Sequence, residues 1–124
     1  MPHPRLIAVI EDDPSLRQAL TGLLRSFGYA ASGFASADRF LAANTALRID
    51  CIITDIQMPG TNGVELKHKL IDRACKAPVI MITGRDDTAF LARAEASGAV
   101  CILRKPFAAE RLIACVVRAL GDSD

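Results

Sequence analysis

Five side chains with complementary chemistry follow four separate apolar segments of the chain. They are two acids after the first segment, then a single acid, a hydroxyl and an amine after three later ones: Glu11, Asp12, Asp55, Thr83 and Lys105. If the apolar segments are parallel strands, their C-terminal ends share one edge of a sheet, where ligands bind in open α/β folds. We therefore expect three carboxylates, a hydroxyl and an ammonium to converge at that edge.

Most polar residues that follow the apolar segments, taken singly, can be explained by a structural role without any chemistry. Acids after a strand commonly cap the next helix, and we interpret Asp13 in this way because Pro14 follows it at the start of a helical segment. Thr83 alone could be an ordinary strand-end residue, and Lys105 alone a solvated surface lysine. Asp55 is harder to explain, since a carboxylate ending a buried strand near other acids suffers like-charge repulsion.

The charge balance of the group favours a bound divalent cation. Lys105 supplies one positive charge against the three carboxylates of Glu11, Asp12 and Asp55, so two negative charges stay uncompensated. Mg²⁺ is usually held by a few carboxylates with waters and a phosphate, and an ammonium, a hydroxyl and loop N–H groups suit that phosphate. P-loop, GxGxxG and GxSxG patterns are absent. The remaining option is covalent, with Asp55 itself as the nucleophile that forms an acyl phosphate.

Apolar and helical segments alternate along the chain as five β–α repeats. Strands are predicted at 5–10, 29–34, 51–55, 78–84 and 99–103, and helices at 14–28, 36–43, 63–75, 86–98 and 108–120. We place Ala19 and Phe27 on the apolar stripe of the first helix and Ile71 on that of the third. Unbroken apolar strands with helical crossovers predict a doubly wound α/β fold with a parallel sheet covered on both faces.

Composition indicates one globular domain. The 124 residues are 51% hydrophobic and 23% charged, with a net charge of +1 and no run of basic residues, so direct binding to nucleic acid is not expected. No apolar stretch approaches the ~18 residues that span a bilayer, and the N-terminus lacks a signal-peptide layout. None of the four cysteines forms a CxxC pair, and we expect reduced thiols in a cytoplasmic protein without a membrane partner.

Four motifs, in this order, resemble the receiver domain of two-component response regulators: VIEDDPSLR, TDIQMPGTNGVEL, PVIMITG and GAVCILRKPF. The resemblance covers nearly the whole chain, and the details SADRFL, ITG and KPF are most similar to the FixJ-like branch. It implies a CheY-like, flavodoxin-like (βα)5 fold with a parallel sheet in the order 2-1-3-4-5. It also implies that residues 1–124 form a single receiver domain.

The resemblance implies a magnesium site around Asp55, which corresponds to the phosphorylated residue of the family. Glu11 and Asp12 correspond to the family's acidic pair, since Arg17 follows Asp12 at the family's spacing of five residues. Asp12, Asp55 and the backbone carbonyl of Gln57 would contact Mg²⁺ directly, and Glu11 would act through water.

The resemblance also implies a switch that responds to the phosphoryl group on Asp55. Thr83 would hydrogen-bond that group and move with it, and Lys105 would pair with it, next to a cis Lys105–Pro106 peptide bond. The phosphoryl donor would be a sensor histidine kinase or a phosphotransfer protein, and the signal would pass to an output protein or through a homodimer. Such a module is not an enzyme for external substrates, because it catalyses only its own phosphorylation and dephosphorylation.

Three positions bear on signalling by such a domain. Family members commonly carry an aromatic residue three positions before the lysine, where this chain has Ile102, which we expect to be a fixed, buried side chain. Gln57 and Arg85 each lie two residues past a site residue and, by resemblance, line the water route to the phosphoryl group. Their size and polarity should therefore set the lifetime of the acyl phosphate.

Two other functions share most of these residues. A small aspartate-nucleophile phosphatase would use the same acids, threonine and lysine, but such enzymes usually carry a second aspartate two residues after the nucleophile, where this chain has Gln57. A degenerate receiver that acts only as an interaction module is the third alternative. The complete set of Glu11, Asp12, Asp55, Thr83 and Lys105 argues against it.

Overall fold

The computed structural model describes residues 4–43, 48–57, 60–72, 75–84 and 88–121, and the side chains of these residues except those of 88–90. Within these ranges five strands alternate with five helices. The strands are β1 (Leu6–Ile10), β2 (Ala30–Phe34), β3 (Cys51–Asp55), β4 (Val79–Thr83) and β5 (Cys101–Arg104). The helices are α1 (Pro14–Ser26), α2 (Ala37–Ala42), α3 (Gly63–Asp72), α4 (Thr88–Ala96) and α5 (Ala109–Leu120).

All strand pairs are parallel, and the sheet order is β2-β1-β3-β4-β5. This confirms the doubly wound α/β fold and the order 2-1-3-4-5. The register aligns Ile10 with Thr54 and Asp55 with Ile82. Because the strands run in the same direction, the residues that follow β1, β3, β4 and β5 all lie at the C-terminal edge of the sheet.

The hydrophobic core has two parts, one on each face of the sheet. Alternate strand residues point to opposite faces, so Ile10 and Ile52 belong to one cluster and Val9 and Ile53 to the other. Helices α2, α3 and α4 contribute buried residues to the first cluster: Ala37, Phe40, Leu41, Val64, Leu66, Leu70 and Ala94. Helices α1 and α5 contribute to the second: Leu20, Leu24, Leu112 and Val116. Coverage of both faces explains why β3 and β4 are buried along their whole length.

Capping residues delimit the first two helices as the sequence predicts. The Asp13 carboxylate accepts a 2.9 Å hydrogen bond from the backbone N–H of Ser15, and Pro14 occupies the first turn. After α1 the chain turns through Gly28, whose φ is +90°, a conformation that glycine adopts without a steric cost. Ser36 caps α2 by accepting from the N–H of Arg39 at 3.1 Å.

Three predicted core positions are wrong. Phe27 is the C-cap of α1 and 57% exposed, since the chain leaves the helix there and its side chain departs from the apolar stripe. Ala19 is exposed beside the buried Leu20. Ile71 is 62% exposed, because it lies about 100° further round α3 than the buried residue before it.

The predicted element boundaries agree with the structure to within a few residues. Differences of two residues occur at the ends of α1 and α4 and at the start of β5, and the described part of α3 runs to Asp72. The predicted start of the fourth helix, at residues 86–87, lies outside the described residues. A search of the described helices found none that is both long enough and apolar enough to cross a membrane.

Candidate functional site at the carboxyl edge of the sheet

Backbone hydrogen bonds hold the candidate site residues at the sheet edge. The N–H of Glu11 donates to the carbonyl of Phe34 at 3.0 Å, which extends the pairing of β1 and β2 by one residue. The N–H of Lys105 donates to the carbonyl of Thr83 at 2.8 Å, which extends the pairing of β4 and β5 in the same way. Asp55 is itself the last residue of β3. The side chains are therefore positioned by the sheet rather than by free loops.

Three carboxylates meet at this edge. One oxygen from each of Glu11, Asp12 and Asp55 lies within 4.8 Å of the other two. Glu11 is 1% exposed and Asp55 6% exposed, whereas Asp12 is open to solvent. Oxygen donors that are anchored on one side and open to water on the other suit a hard divalent cation that keeps part of its hydration shell.

Lys105 compensates part of this negative charge. Its Nζ atom donates to Oδ2 of Asp55 at 2.8 Å and to Oε1 of Glu11 at 3.4 Å. Burial alone would lower the pKa of Lys105, but the hydrogen bonds and negative charges of Asp55 and Glu11 together outweigh burial, so the pKa is raised. The ammonium therefore stays charged at neutral pH and contacts both of the buried acids.

Glu11 binds its proton unusually tightly. Burial, with hydrogen bonding to Asp12 and the charge of Asp55, raises the pKa of Glu11 from 4.5 to about 7. The N–H of Asp13, which donates to Oε2 of Glu11 at 3.1 Å, and the charge of Lys105 lower it by less. One ammonium is thus too little charge for the pair of buried acids, and a second cation would be favourable here.

The loop after β3 holds the Asp55 carboxylate from the other side. The backbone N–H of Gln57 donates to Oδ1 of Asp55 at 2.9 Å, so both carboxylate oxygens have a partner. The loop closes where the N–H of Gly63 donates to the carbonyl of Ile56 at 2.9 Å. A Cβ on Gly63 would lie 2.9 Å from the Asp55 carbonyl oxygen, and only glycine allows this close approach.

Thr83 lies at the same edge, one strand beyond Asp55. It is buried at the end of β4 and lines a cavity of about 430 Å³ between β5 and α4, together with Leu91 and Ile102. Ile102 packs against the core but is only half-buried, so the expected full burial of this side chain is wrong. Arg85 lies outside the described residues.

Arg17 makes a contact with the acidic turn that sequence reasoning missed. Its Nη1 donates to the backbone carbonyl of Glu11 at 2.8 Å. The side chain reaches this carbonyl by crossing Gly33, where a Cβ would lie 3.0 Å from Cγ of Arg17. The available signals were the spacing of Arg17 from the acids and a glycine inside β2, and neither shows by itself that the two residues meet.

The fold and this site match one protein family. Residues 7–117 match the profile of the family described as the response regulator receiver domain. The transcriptional regulatory protein FixJ of Azorhizobium caulinodans is 40% identical over 123 residues, which cover 99% of this chain and 58% of FixJ. The chain thus spans little more than half the length of this relative.

Solved structures give the same result. A crystal structure of FixJ-N superimposes with a TM-score of 0.88 at 31% identity and covers 99% of this chain and 98% of FixJ-N. A response regulator receiver protein from Burkholderia phymatum has a TM-score of 0.82 at 41% identity, with 96% of this chain and 97% of that protein covered.

The chain belongs to the receiver domain family of two-component response regulators. This is a family of phosphoacceptor signalling domains, and the acidic group of Glu11, Asp12 and Asp55 is consistent with that activity. The peptide bond between Lys105 and Pro106 is cis, as the resemblance implies.

Proposed function

We propose that Asp55 accepts a phosphoryl group from a sensor histidine kinase or a phosphotransfer protein. The observation that carries this assignment is the environment of its carboxylate. Asp55 is nearly buried, its two oxygens are held by Lys105 and by the N–H of Gln57, and Glu11 and Asp12 lie beside it. A carboxylate held in one orientation beside a cation and a candidate metal site is arranged to act as a nucleophile.

Mg²⁺ is the cofactor that the donor set favours. Asp12, Asp55 and the backbone carbonyl of Gln57 would hold it directly, and Glu11 through water. Bound Mg²⁺ supplies positive charge to the oxygens of the transferring phosphoryl group. An all-oxygen site with one open side suits this ion better than softer metals.

The residues of the chain contribute orientation and charge to the transfer. A carboxylate oxygen of Asp55 forms a bond to phosphorus while the bond from phosphorus to the donor histidine nitrogen breaks, and the electron pair stays on the imidazole. Lys105 stabilises the negative charge that spreads over the phosphoryl oxygens. The N–H of Gln57 and the fixed end of β3 keep the carboxylate from turning away from the donor.

The phosphoryl group would act as an electrostatic switch. It adds roughly two negative charges at neutral pH to a site that already has too little cationic charge. Thr83 is suited to respond, since its residue ends β4 and also lines the cavity between β5 and α4. Movement of Thr83 towards the phosphoryl group would change the packing of Ile102 and Leu91 and so alter the surface of α4 and β5.

The wider role is that of a signalling module. We infer a single receiver domain over residues 1–124, in the cytoplasm, that catalyses only its own phosphorylation and dephosphorylation. FixJ is named as a transcriptional regulatory protein and is longer than this chain, which supports an output protein or output domain as the recipient of the signal, with a homodimer as the alternative. No direct contact with nucleic acid or membrane is part of this proposal.

The test is phosphorylation by a small acyl-phosphate donor with Mg²⁺, followed by intact-mass measurement and peptide mapping. We expect one phosphoryl group, labile to acid and base, on the peptide that contains Asp55. Asp55→Asn should abolish the label, and chelation of Mg²⁺ should prevent it. If Asp55→Asn is labelled as well as the parent protein, the assignment is wrong.

Two other outcomes would favour the alternatives. Phosphate release from a phosphoester, continuing well beyond one turnover, would indicate an aspartate-nucleophile phosphatase. Amide resonances near Asp12 and Asp55 that do not respond to Mg²⁺ would indicate a receiver that acts only as an interaction module.

A further inference from the structure

A second polar group lies at the same edge of the sheet, on the outer side of the loop between β3 and α3. The hydroxyl of Thr61 donates to Oδ1 of Asp38 at 2.8 Å, and Nζ of Lys69 donates to the Thr61 oxygen at 3.1 Å. Thr61 belongs to the loop, Asp38 to α2 and Lys69 to α3. These three residues, which we call the loop clamp, connect the loop to helices α2 and α3 through side-chain hydrogen bonds.

The direction of the hydrogen bonds in the loop clamp is determined by the chemistry of its members. A lysine ammonium can only donate and a carboxylate can only accept. The Thr61 oxygen therefore accepts from Lys69, and its single hydrogen must point to Asp38. Thr61 is nearly buried, while Asp38 and Lys69 lie at the surface, so the threonine is the one member that water cannot readily replace.

The loop and Asp38 are also in close steric contact. Gly60 has a φ of +79°, and a Cβ there would lie 3.0 Å from Oδ2 of Asp38. One carboxylate oxygen of Asp38 thus faces Thr61 and the other faces Gly60. This side of the loop contacts the start of α2. The helix itself is fixed by its N-cap, Ser36, and by the buried side chain of Phe40.

The opposite side of the same loop holds Asp55. The N–H of Gln57 fixes one oxygen of the Asp55 carboxylate, and the bond from Gly63 to Ile56 closes the loop at its base. A loop closed at its base can still rotate about that closure. The contact of Thr61 with Asp38 attaches the loop to a second element, α2, which restrains this rotation.

We propose that Thr61 and Asp38 are positioning residues for the Asp55 site, which hold the loop so that Gln57 presents its N–H to Asp55 and its carbonyl to the metal. This inference rests on the proposed function of the site. Outer residues that orient metal ligands change metal affinity by roughly 10- to 100-fold when removed. We expect an effect near the lower end of that range, because the loop keeps its closure at Gly63.

The experiment measures Mg²⁺ affinity by calorimetry or NMR titration, together with thermal stability and labelling by the acyl-phosphate donor. Thr61→Val removes the hydroxyl and keeps the shape, Thr61→Ser keeps the hydroxyl, and Asp38→Ala removes the exposed acceptor. The matched control is Thr21→Val. Thr21 is as buried as Thr61, but its hydroxyl donates to carbonyls within α1 at 3.1 Å.

We expect Thr61→Val and Asp38→Ala each to weaken Mg²⁺ binding by about tenfold, and the double variant to be no weaker than either single one. Thr61→Ser should retain the parent affinity. Thr21→Val should lose a similar amount of stability but bind Mg²⁺ as the parent does. That difference separates positioning from a general loss of stability.

Mg²⁺ affinities of Thr61→Val and Asp38→Ala within twofold of the parent would overturn the inference and leave the proposed function intact. If Thr61→Val does not fold, Asp38→Ala decides the question, because Asp38 is exposed. A parent protein that neither binds Mg²⁺ nor becomes labelled on Asp55 would overturn the proposed function, and the inference with it.

Discussion

The Nζ atom of Lys105 lies 2.8 Å from Oδ2 of Asp55, although 50 residues separate the two in the chain. The same ammonium lies 3.4 Å from Oε1 of Glu11. Two nearly buried carboxylates therefore share one ammonium. The charge balance at this edge depends on residues at the ends of three different strands. It is therefore sensitive to single substitutions.

Lys105→Met should lower the stability of the metal-free protein at pH 8 by about 1–2 kcal/mol, since it leaves two buried acids without their cation. The same substitution should strengthen Mg²⁺ binding, because Mg²⁺ no longer competes with an ammonium, and should slow labelling of Asp55. Urea unfolding and Mg²⁺ titration measure these effects. Lys67→Met, at a half-buried lysine in α3 away from the acidic group, is the control. Equal stability losses in both variants would contradict the prediction.

Glu11 should make the metal-free protein less stable as the pH rises. Its pKa is 4.5 when unfolded and about 7 in the fold, so its contribution is fully present below pH 4.5 and is lost as the pH passes through 7. The loss should be on the order of 2 kcal/mol. Urea unfolding between pH 5.5 and 8 measures it, and Glu11→Gln should remove this part of the slope. Added Mg²⁺ should stabilise the protein more at pH 8 than at pH 6, because it favours the ionised carboxylate.

Gly63→Ala should destabilise the fold by about 1–3 kcal/mol and weaken Mg²⁺ binding. The new Cβ would meet the Asp55 carbonyl oxygen at 2.9 Å and Cα of Ile56 at 3.0 Å, which are backbone atoms of the last residue of β3 and of the residue after it. The control is Gly22→Ala in α1, where nothing lies within 4 Å of the new Cβ. This control should raise stability by roughly 0.5–1 kcal/mol, since alanine favours the helix. Thermal unfolding compares the two, and the prediction fails if both substitutions stabilise.

Cys51 should resist thiol reagents in the folded protein. It is fully buried in β3, and burial raises the pKa of its thiol to about 12, so the reactive thiolate is scarce at pH 8. The half-buried Cys75 and Cys101 should be alkylated before Cys51. Iodoacetamide labelling with peptide mass spectrometry, with and without denaturant, checks the order. Rapid native labelling of Cys51 would contradict the burial of this strand.

Residue patterns predict the elements well where burial and periodicity agree. The continuous apolar runs at 51–55 and 78–84 correspond to strands buried on both faces, and Asp13 and Ser36 cap helices as expected. Predictions of burial fail where the exposure of a side chain depends on the residue at which a helix ends or on its position around the helix axis. Phe27 and Ile71 have the hydrophobicity of core residues, but the end of α1 and the rotation along α3 leave them exposed.

The sequence by itself determined the class of fold, since unbroken apolar strands with helical crossovers form a parallel sheet, and the family, through four motifs in order. It also predicted five site residues for one edge, because parallel strands bring their C-terminal ends together whatever the details of packing. Only the tertiary structure decided which atoms touch. Lys105 pairs with Asp55 and Glu11, Arg17 reaches the Glu11 carbonyl across Gly33, and Asp38 holds Thr61. Such contacts depend on distances between elements that are remote in the chain, and strand order together with helix packing sets those distances.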